Sequence, residues 1–562
     1  MFSSKFKLAL MLIATILISA CSKDESPKPK PSDLDSHGTM QPLDNETDPN
    51  KTENWFTKGP KDNVEGVDID RALKNLRLNP EAKEIIVAVI DSGFDLNHPD
   101  LQGRMWVNQA EANGLPGVDD DLNGYIDDVN GWNFLGGLDA QGHPVNVNQE
   151  RSESTRELVR LKRLRASLIN SGEMLSDAEQ AYYDKLDNEV TGDRNVMRIQ
   201  LKYTQDAIDR LFEYYKKIES RIHIPFEKLT IEDVETFKAE GETETQAKED
   251  LIIEFNGSFA KSVQRMQIRL NTFKVAIDTA LNESFDPRAQ IIKDDPNNFE
   301  NGHYGNNDVT GAEALHGTHV AGIIAALRDN GQGINGISPY AKIMPIRAIP
   351  SGDEYDKDIY FAVKYAVDNG AKIINMSFGK KYSPHKPKLD EIFQYAAQHG
   401  VILVHAAGNF AHDNDLGGHF PDRFLASPNH DSEIHNWIEV GANSKYNSSA
   451  LVANFSNYGK KSVDIFAPGF EIVSTSPGNT YSILSGTSMA APMVSGVLSV
   501  VWAQNPNLSA EQVRQIVLRN GRNKNSLLVM KPGIGDSVNL NQLCRTGSVV
   551  DNYKALEKVL DR

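Results

Sequence analysis

The stretch Ser485-Gly486-Thr487-Ser488-Met489-Ala490-Ala491-Pro492-Met493-Val494-Ser495-Gly496 decides how the rest of this chain is interpreted. Its small residues predict a tight turn, and the small and apolar run after Ser488 predicts the start of a helix. The N–H groups and partial positive charge of a helix N-terminus stabilise a developing anion. The stretch therefore predicts a nucleophilic serine. Because a serine hydroxyl is a weak nucleophile at neutral pH, it also needs a base and a group that orients that base.

Two upstream stretches offer these partners. The apolar, β-branched run Ile86-Val87-Ala88-Val89-Ile90 predicts a buried parallel strand, and Asp91 follows at its carboxyl end. His316 opens the small-residue stretch His316-Gly317-Thr318-His319-Val320-Ala321-Gly322, which predicts a helix that packs closely on a sheet. The order along the chain is Asp, His, Ser, which among the known triad orders is that of subtilisin.

These motifs resemble those of the subtilisin-like serine proteases, the subtilase family. The matching blocks are Ala88-Val89-Ile90-Asp91-Ser92-Gly93, His316-Gly317-Thr318-His319-Val320-Ala321-Gly322 and Gly486-Thr487-Ser488-Met489-Ala490-Ala491-Pro492. The likeness covers residues 80–135 and 300–520. Three blocks in the family's order, each with the expected local structure, make a chance match a poor explanation.

The resemblance implies a role for each matching position. It implies a catalytic triad of Asp91, His316 and Ser488, with Asn409 as the side-chain donor to the oxyanion. It also implies that a peptide substrate pairs as an added strand with the substrate edge, Ser377, Phe378 and Gly379. No cofactor is needed for this chemistry.

Alternating strands and helices predict an α/β fold with a mainly parallel sheet between helix layers. In such sheets, functional sites gather at the carboxyl ends of the strands. Asp91, Ser377 and Asn409 all follow predicted strands, so the predicted fold and the predicted site agree.

Residues 135–300 do not match the family pattern and separate Asp91 from His316 by far more than a normal connection. Apolar residues there recur at helical spacing, which predicts long amphipathic helices inserted into the catalytic body. The examples are Leu158, Leu161, Leu164 and Leu168, and Ile208, Leu211, Tyr214, Tyr215 and Ile218. The insertion is interpreted either as a docking arm or gate over the cleft, or as a decoration that covers surface. The second interpretation is favoured because nothing in the insertion carries chemistry.

The N-terminus predicts export and a lipid anchor. Residues 1–20 combine two lysines with an apolar core, which is typical of a signal peptide, and Cys21 follows a lipobox-like Ile18-Ser19-Ala20. The alternative is an ordinary signal peptide with a coincidental cysteine. The acidic Ser22-Lys23-Asp24-Glu25 resembles export signals of surface lipoproteins in some Gram-negative bacteria. We therefore expect a surface-exposed outer-membrane lipoprotein held by Cys21.

The remaining organisation follows from composition. Residues 21–55 are polar and predict a flexible tether without a folded inhibitory propeptide. The catalytic body is predicted at 56–134 and 301–545, with a C-terminal helix or tail at 546–562. The formal net charge of −18 argues against nucleic acid as a partner. The expected partners are protein or peptide substrates and the membrane, and the sequence predicts no oligomeric state.

An acidic loop predicts a structural calcium site. Oxygen-bearing side chains alternate before the glycine turn at Gly124, as at the start of an EF-hand loop, although Asn130 stands where that loop has its glutamate. The candidate ligands are Asp119, Asp121, Asn123, Tyr125 and Asp127, and the sequence does not decide between Asp127 and Asp128. The alternative is a turn whose side chains cap their own backbone. The resemblance also implies calcium at Asp100, with Asp329 facing the same ion; a plain loop role has comparable weight for both.

The sequence thus predicts a secreted, membrane-anchored serine endopeptidase that works through an acyl-enzyme. The alternative is a non-catalytic surface lipoprotein that uses a subtilisin-like scaffold as a binding module. An α/β-hydrolase esterase is excluded because it requires the order Ser, acid, His and a Gly-x-Ser-x-Gly elbow around the serine.

Overall fold

A single nine-stranded sheet runs through the catalytic body. The structure is a computed structural model that describes residues 41–42, 54–254, 258–426 and 432–560. Residues 1–20, Cys21 and most of the predicted tether lie outside the described residues. The strands are, in chain order, β1 (Gln41–Pro42), β2 (Ile85–Asp91), β3 (Trp132–Asn133), β4 (Gly136–Leu138), β5 (Pro144–Asn146), β6 (Ala341–Arg347), β7 (Ile373–Met376), β8 (Ile402–Ala406), β9 (Trp437–Asn443), β10 (Ile465–Pro468), β11 (Ile472–Ser476), β12 (Thr480–Leu484), β13 (Arg522–Asn523), β14 (Leu528–Met530), β15 (Ser537–Asn539) and β16 (Ser548–Val549).

The order across the central sheet is β13-β16-β10-β9-β8-β7-β2-β6-β3. Every neighbouring pair is parallel except β13 and β16. The central strands are apolar on both faces because helices cover both sides of the sheet. This mainly parallel α/β architecture confirms the predicted fold class.

Helices form a layer on each face of that sheet. The helices are, in chain order, α1 (Ile69–Asn75), α2 (Gln109–Ala112), α3 (Glu153–Ser171), α4 (Asp177–Ile222), α5 (Ile231–Thr236), α6 (Gly241–Glu254), α7 (Phe259–Asp278), α8 (Pro287–Ile291), α9 (Leu315–Ala325), α10 (Asp356–Asp368), α11 (Lys386–Gln398), α12 (Thr487–Gln504), α13 (Ala510–Arg519) and α14 (Asn552–Leu560). Residues of α1, α9, α12, α13 and α14 share one core with the sheet, and residues of α10 and α11 share the other. The two helices predicted to carry His316 and Ser488 therefore lie on the same face.

The predicted insertion is mainly helical, with the antiparallel pair β4 and β5 at its start. It contains α3 to α8, and α4 alone runs for 46 residues from a capping box between Ser176 and Glu179. The predicted helical spacing is confirmed in α3 and α4. A separate hydrophobic cluster, which we call the distal cluster, joins α4 to α7 and their connections through Ile208, Leu211, Tyr215, Ile218, Leu229, Val234, Ala247, Leu251, Phe259 and Val263.

The predicted C-terminal helix is present as α14, which packs on α12 and α1. Residues 546–560 belong to the catalytic body, because β16 lies inside the central sheet between β10 and β13. The body also begins before residue 56: Trp55 is buried, and β1, within the predicted tether, pairs with β12 in antiparallel fashion. Within the described residues, no helix combines the length and apolar character needed to cross a membrane.

Candidate active site

The first pair of predicted site residues meets where β2 ends and α9 begins. Asp91, the last residue of β2, is buried, and the Nδ1 atom of His316 lies 2.8 Å from its Oδ1 and 3.0 Å from its Oδ2. The backbone N–H of Ser92 also donates to Asp91 Oδ1, at 2.8 Å. The carboxylate is thus held in place while it orients the imidazole.

The residue after His316 has to be small for this contact to form. A Cβ atom on Gly317 would lie 2.3 Å from the carbonyl oxygen of Gly93 and 3.1 Å from the Asp91 Cβ. Any side chain at 317 would therefore push α9 away from the end of β2. The His-Gly pair of the sequence motif has a direct steric reason.

Asp91 also controls the protonation of His316. Burial lowers the pKa of the imidazole, but the charge and hydrogen bond of Asp91 outweigh it, so the pKa lies above its usual 6.5. His316 keeps a quarter of its side-chain surface exposed. A base of this kind accepts a proton readily and is held in one tautomer.

Ser488 lies in the first turn of α12, as predicted, and is tied to the substrate edge in both directions. Its Oγ donates to the carbonyl oxygen of Ser377 at 3.1 Å, and the Ser377 hydroxyl donates to the Ser488 carbonyl at 2.9 Å. The second bond has a cause in the sequence. Pro492, four residues further along the helix, has no N–H for that carbonyl, so the hydroxyl of Ser377 replaces the missing helical donor.

The described residues show no hydrogen bond between His316 and Ser488. The serine hydroxyl instead donates to the carbonyl oxygen of Ser377, which directly follows β7, the strand next to β2. Catalytic hydrogen bonds are often long or misaligned until substrate binds. A rotation about the Cα–Cβ bond of Ser488 is the motion that would redirect its hydroxyl.

Asn409 follows β8 and faces the same helix N-terminus. Its Oδ1 accepts hydrogen bonds from the Thr487 N–H at 2.8 Å and the Thr487 hydroxyl at 3.0 Å. Both contacts use the oxygen, so the amide nitrogen is the end left to donate. A Cβ atom on Gly486 would lie 3.4 Å from that nitrogen, which places Nδ2 beside the serine turn.

The substrate edge is supported from below by two residues that sequence reasoning missed. The imidazole of His405 lies with Nε2 2.8 Å from the Phe378 carbonyl oxygen and with Nδ1 3.0 Å from the Glu439 carboxylate. Both side chains are buried. A signal was present in the sequence, since a histidine interrupts an otherwise apolar run just before Asn409.

The third missed residue is Lys380, which directly follows Gly379. Its ammonium group is buried and lies 2.7 Å from carboxylate oxygens of both Glu153 and Asp356. A lysine after a strand carries no sequence signal of such a contact, because Glu153 and Asp356 are not neighbours of Lys380 along the chain.

In the acidic loop, the carboxylates that come close enough together to hold a cation differ from the predicted set. Asp119 accepts hydrogen bonds from the backbone N–H groups of Asn123 and Gly124, and Asp127 accepts from that of Gly117, as in the alternative of a self-capping turn. The aromatic ring of Tyr125 packs in the core. The carboxylate oxygens that converge within 4.8 Å belong to Glu111, Asp121 and Asp128. Such a donor set suits a hard cation like Ca²⁺. Asp121 is a predicted member, Asp128 is one of the two carboxylates between which the sequence does not decide, and Glu111 was not predicted.

At the second predicted calcium position, the carboxylates accept hydrogen bonds from other groups of the protein. Asp100 is fully buried and accepts hydrogen bonds from the Asn330 side chain at 2.7 Å and the Ile334 N–H at 3.1 Å. Asp329 lies on the exposed part of the same loop and pairs with Asn335. A calcium role for Asp100 and Asp329 stays a prediction.

Together, the fold and site define an α/β protein in which an acid at a strand end orients an imidazole on the same sheet face as a serine at a helix N-terminus. The model of the Subtilase family matches residues 82–535. The chain belongs to this family, which confirms the resemblance seen in the sequence.

Individual relatives match shorter stretches. The chain is 40% identical over 193 residues to the Thermophilic serine proteinase of Bacillus sp. (strain AK1), covering 34% of this chain and 43% of the relative. It is 34% identical over 249 residues to the Cell wall-associated protease of Bacillus subtilis (strain 168), covering 44% and 25%. Among solved structures, fervidolysin from Fervidobacterium pennivorans is 32% identical over 43% of this chain and 36% of that one, with a TM-score of 0.34. The chain therefore spans less than half the length of each of these relatives.

Proposed function

We propose that this protein is a serine endopeptidase that cleaves peptide bonds through Asp91, His316 and Ser488. The observation that carries the proposal is the 2.8 Å contact between His316 Nδ1 and Asp91 Oδ1, in a chain of the subtilase family. It is supported by the position of Ser488 at a helix N-terminus and by the Asn409 amide, which Thr487 orients.

The mechanism follows from these positions. His316 Nε2 takes the proton of Ser488 Oγ as the oxygen attacks the carbonyl carbon of the scissile bond. The Asn409 Nδ2 and the Ser488 N–H hold the oxyanion of the tetrahedral intermediate. His316 then gives its proton to the leaving amine, and the acyl-enzyme forms. Water, deprotonated by His316, releases the acyl group and restores the serine hydroxyl. Asp91 keeps the proton on Nδ1 of His316 throughout, so Nε2 is the nitrogen that takes up and releases the transferred proton.

Fluorophosphonate labelling tests the proposal. The folded wild-type protein should react with the probe at residue 488 and hydrolyse an internally quenched peptide library, and Ser488→Ala should do neither. Ser485→Ala is the matched control, because it removes a neighbouring hydroxyl and should keep both activities. Folded wild-type protein without labelling or hydrolysis would overturn the enzyme and support the binding module.

We also propose that the protein is exported and held at the outer membrane of a Gram-negative bacterium by a lipid on Cys21. The support comes from the sequence alone. Residues 1–20 resemble a signal peptide, a lipobox-like segment precedes Cys21, and acidic residues follow it. Metabolic labelling with a fatty-acid analogue should mark the wild type and not Cys21→Ala, and Cys21→Ala should leave the membrane fraction. Equal labelling of both would overturn the anchor.

A further inference from the structure

The substrate edge continues directly into a buried ion-pair network that belongs to the insertion. Lys380, one residue after Gly379, is buried and places its Nζ 2.7 Å from Glu153 Oε2, 2.7 Å from Asp356 Oδ1 and 2.7 Å from the carbonyl oxygen of Glu354. Glu153 is the first residue of α3, the first helix of the insertion. The substrate edge and the insertion are therefore joined by a charge pair that is shielded from water.

Glu153 is itself held in a fixed position. The guanidinium of Arg156 donates to its Oε1 at 3.2 Å and to its Oε2 at 2.6 Å. Arg156 also donates to the carbonyl oxygens of Asp353 and Glu354, on the segment before α10. Burial raises the pKa of Glu153, but the positive charges of Arg156 and Lys380 outweigh it, so the pKa falls to about 2. The start of α3 cannot move without breaking these contacts.

The next two residues, Lys381 and Tyr382, make a second contact, with the long helix α4. Lys381 Nζ lies 2.7 Å from Glu189 Oε2, and the Tyr382 hydroxyl donates to the same oxygen at 2.7 Å. The Tyr382 ring packs on the small cluster that joins α3 to α4 and lies edge-on to Tyr182, with ring centroids 6.2 Å apart. Three consecutive residues after the substrate edge thus contact the insertion.

The other side of the same segment is also fixed. The backbone N–H of Lys380 donates to the Phe420 carbonyl, and the Phe420 N–H donates to the Lys380 carbonyl, both at 2.8 Å. The main chain at Lys380 is therefore clamped between the loop that carries Phe420 and the helices of the insertion. Its position is set by both.

We propose that the insertion positions the substrate edge, with Lys380 and Glu153 as the principal positioning residues. The inference rests on the proposed function and extends it. An added peptide strand is bound by main-chain hydrogen bonds, so a shift of the edge weakens every one of them. A displacement of about 1 Å in a positioning element is enough to lower activity on the order of a hundredfold. The insertion is then part of the peptide-binding apparatus and not only a surface cover.

Asp91, His316, Ser488 and Asn409 lie on other elements than Lys380. Ser488 contacts the substrate edge at Ser377, but a small acylating probe does not pair with that edge, whereas a long peptide does. The two kinds of reagent therefore separate a positioning role from general damage.

The test compares Lys380→Met with Lys380→Arg and with Glu244→Gln. Lys380→Met removes the charge and keeps most of the side chain, and Lys380→Arg keeps the charge. Glu244→Gln is the control, because it breaks an ion pair with Arg221 on the insertion far along the chain from Glu153. Each variant is measured by kcat and KM on an eight-residue peptide and by its rate of fluorophosphonate labelling.

We expect Lys380→Met to lower kcat/KM on the peptide by about tenfold, mainly through a higher KM, since strand pairing is lost before chemistry begins. The labelling rate should stay within about twofold of the wild type, because the acylation machinery is intact. Lys380→Arg should restore most of the peptide activity, and Glu244→Gln should match the wild type. A fall of both rates together, or no change in peptide KM, would overturn the inference while leaving the proposed function standing.

If Lys380→Met fails to fold, a variant at the second contact provides an independent test. Glu189→Gln removes the charge that Lys381 and Tyr382 share, at a side chain that is partly exposed. It should raise the peptide KM about threefold with an unchanged labelling rate. An unchanged KM in this variant would also overturn the inference. Wild-type protein without either activity would instead overturn the proposed function itself.

Discussion

The Nδ1 atom of His405 lies 3.0 Å from both carboxylate oxygens of Glu439, deep beneath the substrate edge. The Trp437 indole N–H also donates to Glu439, at 2.7 Å. Since the other nitrogen of His405 faces the Phe378 carbonyl, one imidazole links a buried carboxylate to the main chain that is predicted to bind substrate. Removing either partner leaves the other buried without its counterpart.

The first prediction concerns this pair. Burial raises the pKa of Glu439, but the hydrogen bond and charge of His405 outweigh it, so the pKa lies below its ordinary 4.5. A depressed carboxyl pKa contributes stability that is present above about pH 4.5 and is lost as pH falls through the lower folded value. Glu439→Gln should therefore lower the free energy of unfolding by about 3 kcal/mol at pH 7 and by less at pH 3.5.

Urea unfolding at the two pH values measures this difference. Glu511→Gln is the control, because Glu511 is more than half exposed beside Arg514 and should change stability by less than about 0.5 kcal/mol. An equal loss for Glu439→Gln at both pH values would contradict the assignment of an ionised Glu439.

The second prediction concerns the pH profile of Asp91→Asn. Asp91 raises the pKa of His316 above 6.5, and the reaction needs the neutral imidazole as base. The wild-type kcat/KM should therefore rise with pH through that raised pKa. In Asp91→Asn the rising limb should move to lower pH, and kcat should fall by roughly 10⁴-fold because the tautomer is wrong. Peptide hydrolysis between pH 5 and 9 tests both effects, and an unmoved limb would rule out Asp91 as the group that tunes His316.

The third prediction concerns Asn409. Asn409→Ala removes one donor to the oxyanion and should lower kcat by about 10²–10³-fold with little change in KM, a figure itself measured in a subtilisin. Thr487→Val, which only weakens the orientation of the amide, should have a smaller effect of the same kind. Steady-state kinetics on one peptide serve for both variants. A larger change in KM than in kcat would assign Asn409 to substrate binding instead.

The fourth prediction uses the proline in α12. Ser377→Ala leaves the Ser488 carbonyl without a donor and should reduce the free energy of unfolding by about 1–3 kcal/mol. Adding Pro492→Ala supplies an N–H at the position that a helix normally uses for that carbonyl. The double variant should therefore recover part of the loss, as a double-mutant cycle by thermal or urea unfolding would measure. Purely additive effects would show that the two groups do not share this carbonyl.

The fifth prediction concerns the calcium site, which the sequence predicts in the acidic loop. If the ion is held by Glu111, Asp121 and Asp128, adding Ca²⁺ at a hundredfold excess over its Kd should raise the free energy of unfolding by about 2.7 kcal/mol. Asp128→Asn should abolish the increase, and Asp536→Asn, at an exposed position elsewhere, should retain it. An unfolding midpoint that does not respond to Ca²⁺ in the wild type would remove the predicted site.

The sequence predicted the residues whose surroundings are local. Asp91 ends an unbroken apolar strand, and Ser488 begins a helix of small residues, so neighbouring residues alone indicate both positions. A parallel sheet then brings strand ends to one edge, which is why a prediction about separate motifs became a prediction about one site. The reason for Gly317 is not local, because the atoms that leave no room for a side chain there belong to the distant segment of Asp91 and Gly93.

The rest depends on contacts between distant segments. Glu153 and Lys380 are 227 positions apart, and neither stands in a pattern that distinguishes it from a surface charge. The calcium prediction found Asp121 but missed Glu111, because the loop folds back and a buried helix residue joins it. The two-residue strand β16 is too short for any periodicity to be seen, so its place in the central sheet followed only from the tertiary fold.

The length of α4 has a consequence for how stability is distributed along the insertion. Its 46 residues span about 69 Å, and Glu189, beside the catalytic body, is about 39 Å along the helix from Tyr215 in the distal cluster. With a core of its own, the outer end can unfold locally. Such local unfolding would leave the contacts of Glu153 and Glu189 beside the substrate edge in place.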